Sequence, residues 1–291
     1  MAEEKKISPP TCDALSYFKV RPPELPQIEE QYPWINPPVP KVGSRILLIG
    51  SSGTGKTNLF KNLVERYWID PETGRSVFDI IFIFSPTLLQ DPLYEMIFSN
   101  PILHDTIIPN QELDEALIQK ILDRKQDNHK ICMFLDDFAY DKRTFQLPIV
   151  RALFFRGRHA GITPIISSQF FFTIDPSIRV NATHFFIFRL KRANETQLLR
   201  IQLATPRVHD EIFDEILKEA QRDSKYDFLL FDVANQRFYK DFDYELLPEG
   251  DEEEPKEEEK SETKAPVPEE DEIEKLILED KENLLKMRDS K

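Results

Sequence analysis

Glycine is scarce in this chain, eight in 291 residues, yet three of the eight fall between Gly50 and Gly55. Cysteine is scarcer still. Cys12 lies in a proline-rich stretch and Cys132 inside an apolar run, which does not suggest a structural disulfide and fits a reducing compartment. The five histidines show no metal-ligand spacing with each other or with the cysteines, so no zinc site is expected. No apolar run is long enough to span a bilayer, Ile80–Phe84 being typical, and the start Met-Ala-Glu-Glu-Lys-Lys lacks the apolar core of a signal peptide. Excess positive charge is also missing. The net charge is −14, and −10 of it sits in residues 249–291, so the body is nearly balanced and the tail is acidic. A globally basic nucleic-acid binder is thereby excluded, and any contact with nucleic acid must come from a local patch.

What is abundant is apolar and aromatic: 40% of the residues are hydrophobic and 22 are phenylalanine, enough for one large α/β domain with tails. Three regions are expected. Residues 1–43 hold a run with nine of the 22 prolines and read as an extended N-terminal arm. Residues 44–248 alternate between strand-like and helical stretches, which argues for a mainly parallel sheet with helices on both faces. Strands are expected at 45–49, 78–84, 130–135, 163–168 and 184–190, and helices at 57–67, 111–124, 146–155, 194–203 and 207–221. A hairpin follows at 227–233 and 237–242. Residues 249–291 form an acidic linker of disordered composition, ending in a short amphipathic segment that suits either a docking helix or a solvated one.

Gly50-Ser51-Ser52-Gly53-Thr54-Gly55-Lys56-Thr57 fits G-x-x-x-x-G-K-[ST]. It follows the apolar run Ile46–Ile49 and precedes Asn58-Leu59-Phe60, where helical spacing begins. Strand, glycine turn and helix give this motif its chemistry: backbone N–H groups form a concave nest for phosphate oxygens, and the helix N-terminus adds its dipole. Lys56 can reach the β- and γ-phosphates, and Thr57 can ligate Mg2+. Residues Gly50 to Asn58 are therefore expected to bind a nucleoside triphosphate.

Ile131–Leu135 is an apolar run that ends in Asp136-Asp137, which puts two carboxylates at the edge of the sheet where ligands of open α/β sheets bind. Asp136 suits the Mg2+ shell. Asp137 stands where many ATPases carry a glutamate that polarises the attacking water, one methylene shorter. One strand, 78–84, is expected between the glycine loop's helix and this run. The next strand, Thr163–Ser168, ends at Gln169, either a γ-phosphate sensor or a simple strand-ending polar residue. Between them, Arg156 and Arg158 close a helix. Arginines there complement the helix dipole, or else one of them enters a neighbouring subunit's site and stabilises the transferring phosphoryl group.

Together, Gly50–Thr57, Leu135-Asp136-Asp137, Arg156-Gly157-Arg158-His159 and Ile165-Ile166-Ser167-Ser168-Gln169 resemble the DNA-packaging ATPases of poxviruses and other large nucleocytoplasmic DNA viruses. That family lies within the FtsK–HerA group of P-loop ATPases. The resemblance covers about residues 44–190. It implies a RecA-like fold of the additional-strand class, with the Gln169 strand between the glycine-loop strand and the Asp136 strand. It further implies ATP and Mg2+ as cofactors, a ring of like subunits, and transport of double-stranded genome into a capsid, hence a place in the host cytoplasm, its viral factory or the virion. Lys56, Thr57, Asp136, Asp137 and Gln169 carry the family roles; Arg156, Arg158 and His159 match the pattern around the arginine finger.

Double-stranded DNA gripped without reading bases needs only Lys and Arg on loops. Lys142-Arg143 and Arg189-Lys191-Arg192 each follow an expected strand, and each is equally an ordinary solvated cluster. The acidic tail suits a capsid or portal partner, since DNA repels it. Other readings of the same motifs are a different FtsK–HerA pump or helicase, a P-loop small-molecule kinase, or a nucleotide switch that does not hydrolyse.

Overall fold

The computed structural model of the chain describes residues 32–124, 129–138, 143–203, 205, 208 and 210–246. Cys12, most of the proline-rich arm, Lys142, Arg207 and His209 of the expected helix 207–221, and the acidic tail lie outside the described residues. Nine strands form one sheet: β1 (Ile46–Ile49), β2 (Ile80–Phe84), β3 (Ile107–Asn110), β4 (Ile131–Asp136), β5 (Ile162–Ser168), β6 (His184–Ile187), β7 (Leu229–Asp232), β8 (Arg237–Lys240) and β9 (Tyr244–Glu245). Their order is β3-β2-β4-β5-β1-β6-β7-β8-β9. β1 to β6 pair in parallel, and β7 to β9 add an antiparallel extension. β5 lies between β1 and β4, the additional-strand arrangement expected for the strand that ends at Gln169.

The central strands are apolar on both sides because helices cover both faces. Side chains alternate along β4, so Met133 and Leu135 point one way and Phe134 the other. Met133 and Leu135 join the large core formed with α3 (Glu115–Leu122), α4 (Pro148–Arg156), α5 (Pro176–Asn181), α6 (Ala193–Leu203) and α7 (Asp210–Ala220). Phe134 instead stacks on Phe60 of α1 (Lys56–Asn62), ring centroids 3.9 Å apart. Each such buried ring contributes on the order of 1.5–3 kcal/mol through removal from water. α2 (Pro92–Phe98) packs beside α1.

Two strands, not one, lie between α1 and β4. The extra one, β3, is four residues long, contains Pro109 and sits at the sheet edge, where a missing N–H costs no ladder bond. Helix ends also differ from the sequence pattern for local reasons. Asp114 caps α3, accepting a hydrogen bond from Leu117 N at 2.9 Å, so the helix starts four residues after Gln111. Pro148 occupies the first turn of α4, and Thr144–Gln146 forms a separate 3-10 turn before it. α1 continues through Leu63–Tyr67 as a wider turn, closed by Trp68 N donating to Leu63 O at 2.9 Å. The end of the proline-rich stretch is tied to the body: Trp68 Nε1 donates to Pro40 O at 2.9 Å, and Ile35 is buried. The hairpin 227–242 forms as expected, as β7 and β8.

Candidate functional site

Parallel strands bring their C-terminal ends to one edge, and there β1, β4 and β5 deliver the glycine loop, Asp136-Asp137 and Gln169 to a single cavity of about 580 Å³. Its lining includes Ser52, Gly53, Gly55, Lys56, Thr57, Asn58, Asp136, Asp137 and Gln169, together with Thr87, Asp91, Leu93 and Tyr226. Gly50, Ser51 and Thr54 frame the loop behind it. A Cβ on Gly50 would stand 2.5 Å from Phe188 Cβ, closer than packing permits, so no side chain fits there. Gly55 has φ 104°, a left-handed conformation that favours glycine, and it starts α1 with that helix's N-terminus aimed at the cavity. Thr54 Oγ1 donates to Ser51 O at 2.8 Å and holds the loop closed on itself.

Lys56 is buried, and its Nζ donates to Gly50 O at 2.6 Å and Ser51 O at 3.0 Å. Burial lowers its pKa, while the carboxylates of Asp136 and Asp137 pull it back up. The ammonium is thus held at the loop's centre, within the field of both aspartates. Thr57 Oγ1 donates to Asp136 Oδ2 at 3.1 Å. Asp136 is fully buried, and desolvation raises its pKa; Ser167, Tyr94 and Lys56 oppose that rise. Ser167 is its cross-strand neighbour on β5. Tyr94 Oη donates to the same Oδ2 at 2.5 Å, and burial together with that carboxylate drives the phenol's own pKa far up.

Asp137 adopts φ 55°, left-handed for a non-glycine residue, a conformation that costs on the order of 1–3 kcal/mol and concentrates at functional sites. Its Oδ1 accepts a hydrogen bond from Gln169 Nε2 at 2.8 Å. The donor set formed by the Thr57 hydroxyl and the Asp136 carboxylate, all oxygen, fits Mg2+. Among the described residues no three His, Cys, Asp or Glu side chains cluster as a metal cage, and Mg2+ needs none, being held by one or two protein oxygens plus phosphates.

Arg156 and Arg158 do not reach this cavity. Arg156 is the last residue of α4 and Arg158 lies in the 3-10 turn after it, on the approach to β5, where Arg156 pairs with Asp123 at 3.2 Å. Arg158 lines a second cavity of about 380 Å³ with Gly43, Ser44 and Arg45, at the entrance to β1. His159 occupies the same 3-10 turn as Arg158. In the basic clusters, Arg189 donates a guanidinium hydrogen bond to Gln221 O, Arg192 lies over the Phe170 ring at 5.1 Å, and Lys191 is exposed.

Tyr94, Thr87, Asp91 and Tyr226 were missed in the sequence pattern. For Tyr94 a signal existed: Asp91-Pro92 is a helix start, and Asp91 accepts from Leu93 N at 2.9 Å. Nothing in the sequence joins Tyr94 to Asp136, 42 residues away.

The family described as poxvirus A32 protein matches residues 40–241, most of the described body. The uncharacterized protein 075L of invertebrate iridescent virus 6 is 29% identical over 219 residues, covering 72% of this chain and 79% of that one. The uncharacterized protein 088R of invertebrate iridescent virus 3 is 25% identical over 182 residues, covering 61% and 67%. Among solved structures, the genome packaging NTPase B204 of Sulfolobus turreted icosahedral virus 2, in complex with ATPγS, superposes with a TM-score of 0.47 at 17% identity, over 68% of this chain and 96% of that one. The extent of the family match, together with the glycine loop, the aspartate pair and the glutamine-tipped strand, identifies the chain as a member of the poxvirus A32 protein family, the DNA-packaging ATPases that its motifs resemble.

Proposed function

We propose that this protein hydrolyses ATP to translocate double-stranded DNA, without sequence preference, into a viral capsid, working as a homo-oligomeric ring in the host cytoplasm or the assembling virion. The observation that carries this reading is one cavity holding Lys56, the Thr57–Asp136 pair and the Asp137–Gln169 pair. The amides of Ser52 to Thr57 and the Lys56 ammonium bind the triphosphate. Thr57 and Asp136 hold Mg2+, which when bound neutralises charge building on the phosphate oxygens. Asp137 accepts a proton from, or orients, the attacking water. Gln169 fixes the Asp137 carboxylate and reports whether a γ-phosphate is present. Arg156 or Arg158 of a neighbouring subunit supplies the remaining cation in trans.

Connections from this cavity to the basic segment 189–192 support coupling to DNA. Ser51 N donates to Arg189 O at 3.1 Å, and Phe171 N, two residues past Gln169, donates to the buried Glu195 carboxylate at 2.7 Å. A shift of the glycine loop or of Gln169 on hydrolysis is thereby passed to a loop that can touch phosphates. Among the described residues no helix is long and apolar enough to cross a membrane. Residues 249–291 dock the motor on a capsid or portal protein. ATPase activity measured with and without long double-stranded DNA, with oligomer mass on the same sample, tests the reading. Stimulation and a ring-sized mass are expected; a monomer that transfers phosphate to a small acceptor would replace it with a kinase.

A further inference from the structure

A triphosphate seated in the glycine loop must send its ribose and base outward along the cavity, and the direction follows from the strand order. Asp136 ends β4 on one side of β1, and the γ-phosphate belongs at that end, beside the carboxylates. The base leaves toward the other side, where β6 and β7 lie. Among the described residues that line the cavity, Tyr226 is the one aromatic, and it enters from the turn before β7, on that far flank.

We propose that Tyr226 is the platform on which the nucleotide base stacks, which makes the occupant of this cavity a nucleoside triphosphate rather than a bare polyphosphate. This rests on reading the cavity as the ATP site. The ring lies across the start of α1: a Cβ on Gly55 would meet Tyr226 Cδ1 at 3.2 Å, so a glycine there admits the ring to the edge of the phosphate nest. Tyr226 is 54% exposed, which leaves ring surface open to a ligand. The turn is built to hold it. Asp227 Oδ2 accepts hydrogen bonds from Ser224 N at 2.7 Å and Asp223 N at 3.1 Å, and Tyr226 N donates to Ser224 Oγ at 3.2 Å. Lys225 Nζ lies 4.6 Å from the ring centroid, so the ring already serves as a π partner. A base stacks on such a face by area and dispersion, with little demand on its hydrogen-bonding edge.

Titration calorimetry on the full chain, with ATP and with inorganic tripolyphosphate as separate probes, tests this. The wild type binds ATP more tightly than tripolyphosphate. Tyr226→Ala lowers ATP affinity roughly tenfold and leaves tripolyphosphate affinity unchanged, and Tyr226→Phe restores the ATP value. Equal loss for both probes would assign Tyr226 to packing of the glycine loop and overturn the proposal, as would an unchanged ATP affinity. A wild type that binds tripolyphosphate and ATP equally sinks the stacking platform while the phosphate site stands. One that binds neither sinks the nucleotide site itself.

Discussion

Tyr94→Phe isolates the cost of holding an ionised Asp136 away from water. The ring is fully buried and phenylalanine fills the same volume, so the substitution removes one hydroxyl and opens no cavity. That hydroxyl donates to Asp136 Oδ2 at 2.5 Å, and the carboxylate it serves is fully buried. A hydrogen bond to a charged group contributes about 1.5–3 kcal/mol, against about 0.5–1.5 kcal/mol for a neutral pair. Without the donor, Asp136 keeps Thr57, Ser167 and Lys56, which cannot fully replace it. Urea unfolding in the presence of EDTA is expected to show Tyr94→Phe less stable by about 1.5–3 kcal/mol, with a shifted midpoint and an unchanged slope. In an Asp136→Asn background the same change should cost about 1 kcal/mol less, because the acceptor has lost its charge. An identical cost in both backgrounds, or a cost below about 0.5 kcal/mol in the first, would refute the idea that Tyr94 stabilises the Asp136 charge.

Gln169→Leu removes the 2.8 Å hydrogen bond to Asp137 while keeping the side chain's bulk; kcat should fall roughly 100-fold with KM changed less than about threefold, as steady-state kinetics will read. The proposed role of Arg158 in trans predicts that Arg158→Ala loses roughly 100-fold or more in kcat, and that mixing it with inactive Lys56→Ala subunits restores a fraction of the activity. No restoration would argue against a role in trans. His184 has its pKa pushed down to about 4 by burial, with Asp232 opposing, and it faces Arg45, Arg158 and Asp232 around the second cavity. The unfolded chain takes up this proton below about pH 6.5 and the folded chain does not, so stability falls as pH drops from about 6.5 toward 4. Denaturant titrations of His184→Gln should show a shallower fall over that window, and parallel curves would contradict the assignment.

The nucleotide site was legible in the sequence because its chemistry is local: spacing fixes the glycine loop, and an apolar run that stops at two aspartates fixes the strand end. The place of β5 between β1 and β4 was legible through the motif resemblance carried partly by Gln169. The Tyr94–Asp136 bond was not, because it joins elements 42 residues apart and depends on how α2 sits beside α1. β3 escaped because four half-exposed residues with a proline carry no alternating pattern. The surroundings of half-buried His184 were equally hidden, since β7 pairs beside β6 in antiparallel register and sets Asp232 opposite it. Arg156 and Arg158 could be flagged from sequence, but only the fold separates them from the cavity of their own chain.

Movement along DNA is most directly measured by displacement of a triplex-forming oligonucleotide from a long duplex, followed over time with the full-length protein. ATP should drive displacement by the wild type, whereas ADP with the wild type, or ATP with Lys56→Ala, should leave the third strand bound. Steady ATP turnover on the same duplex with the triplex intact would mean that hydrolysis at this cavity is not coupled to transport.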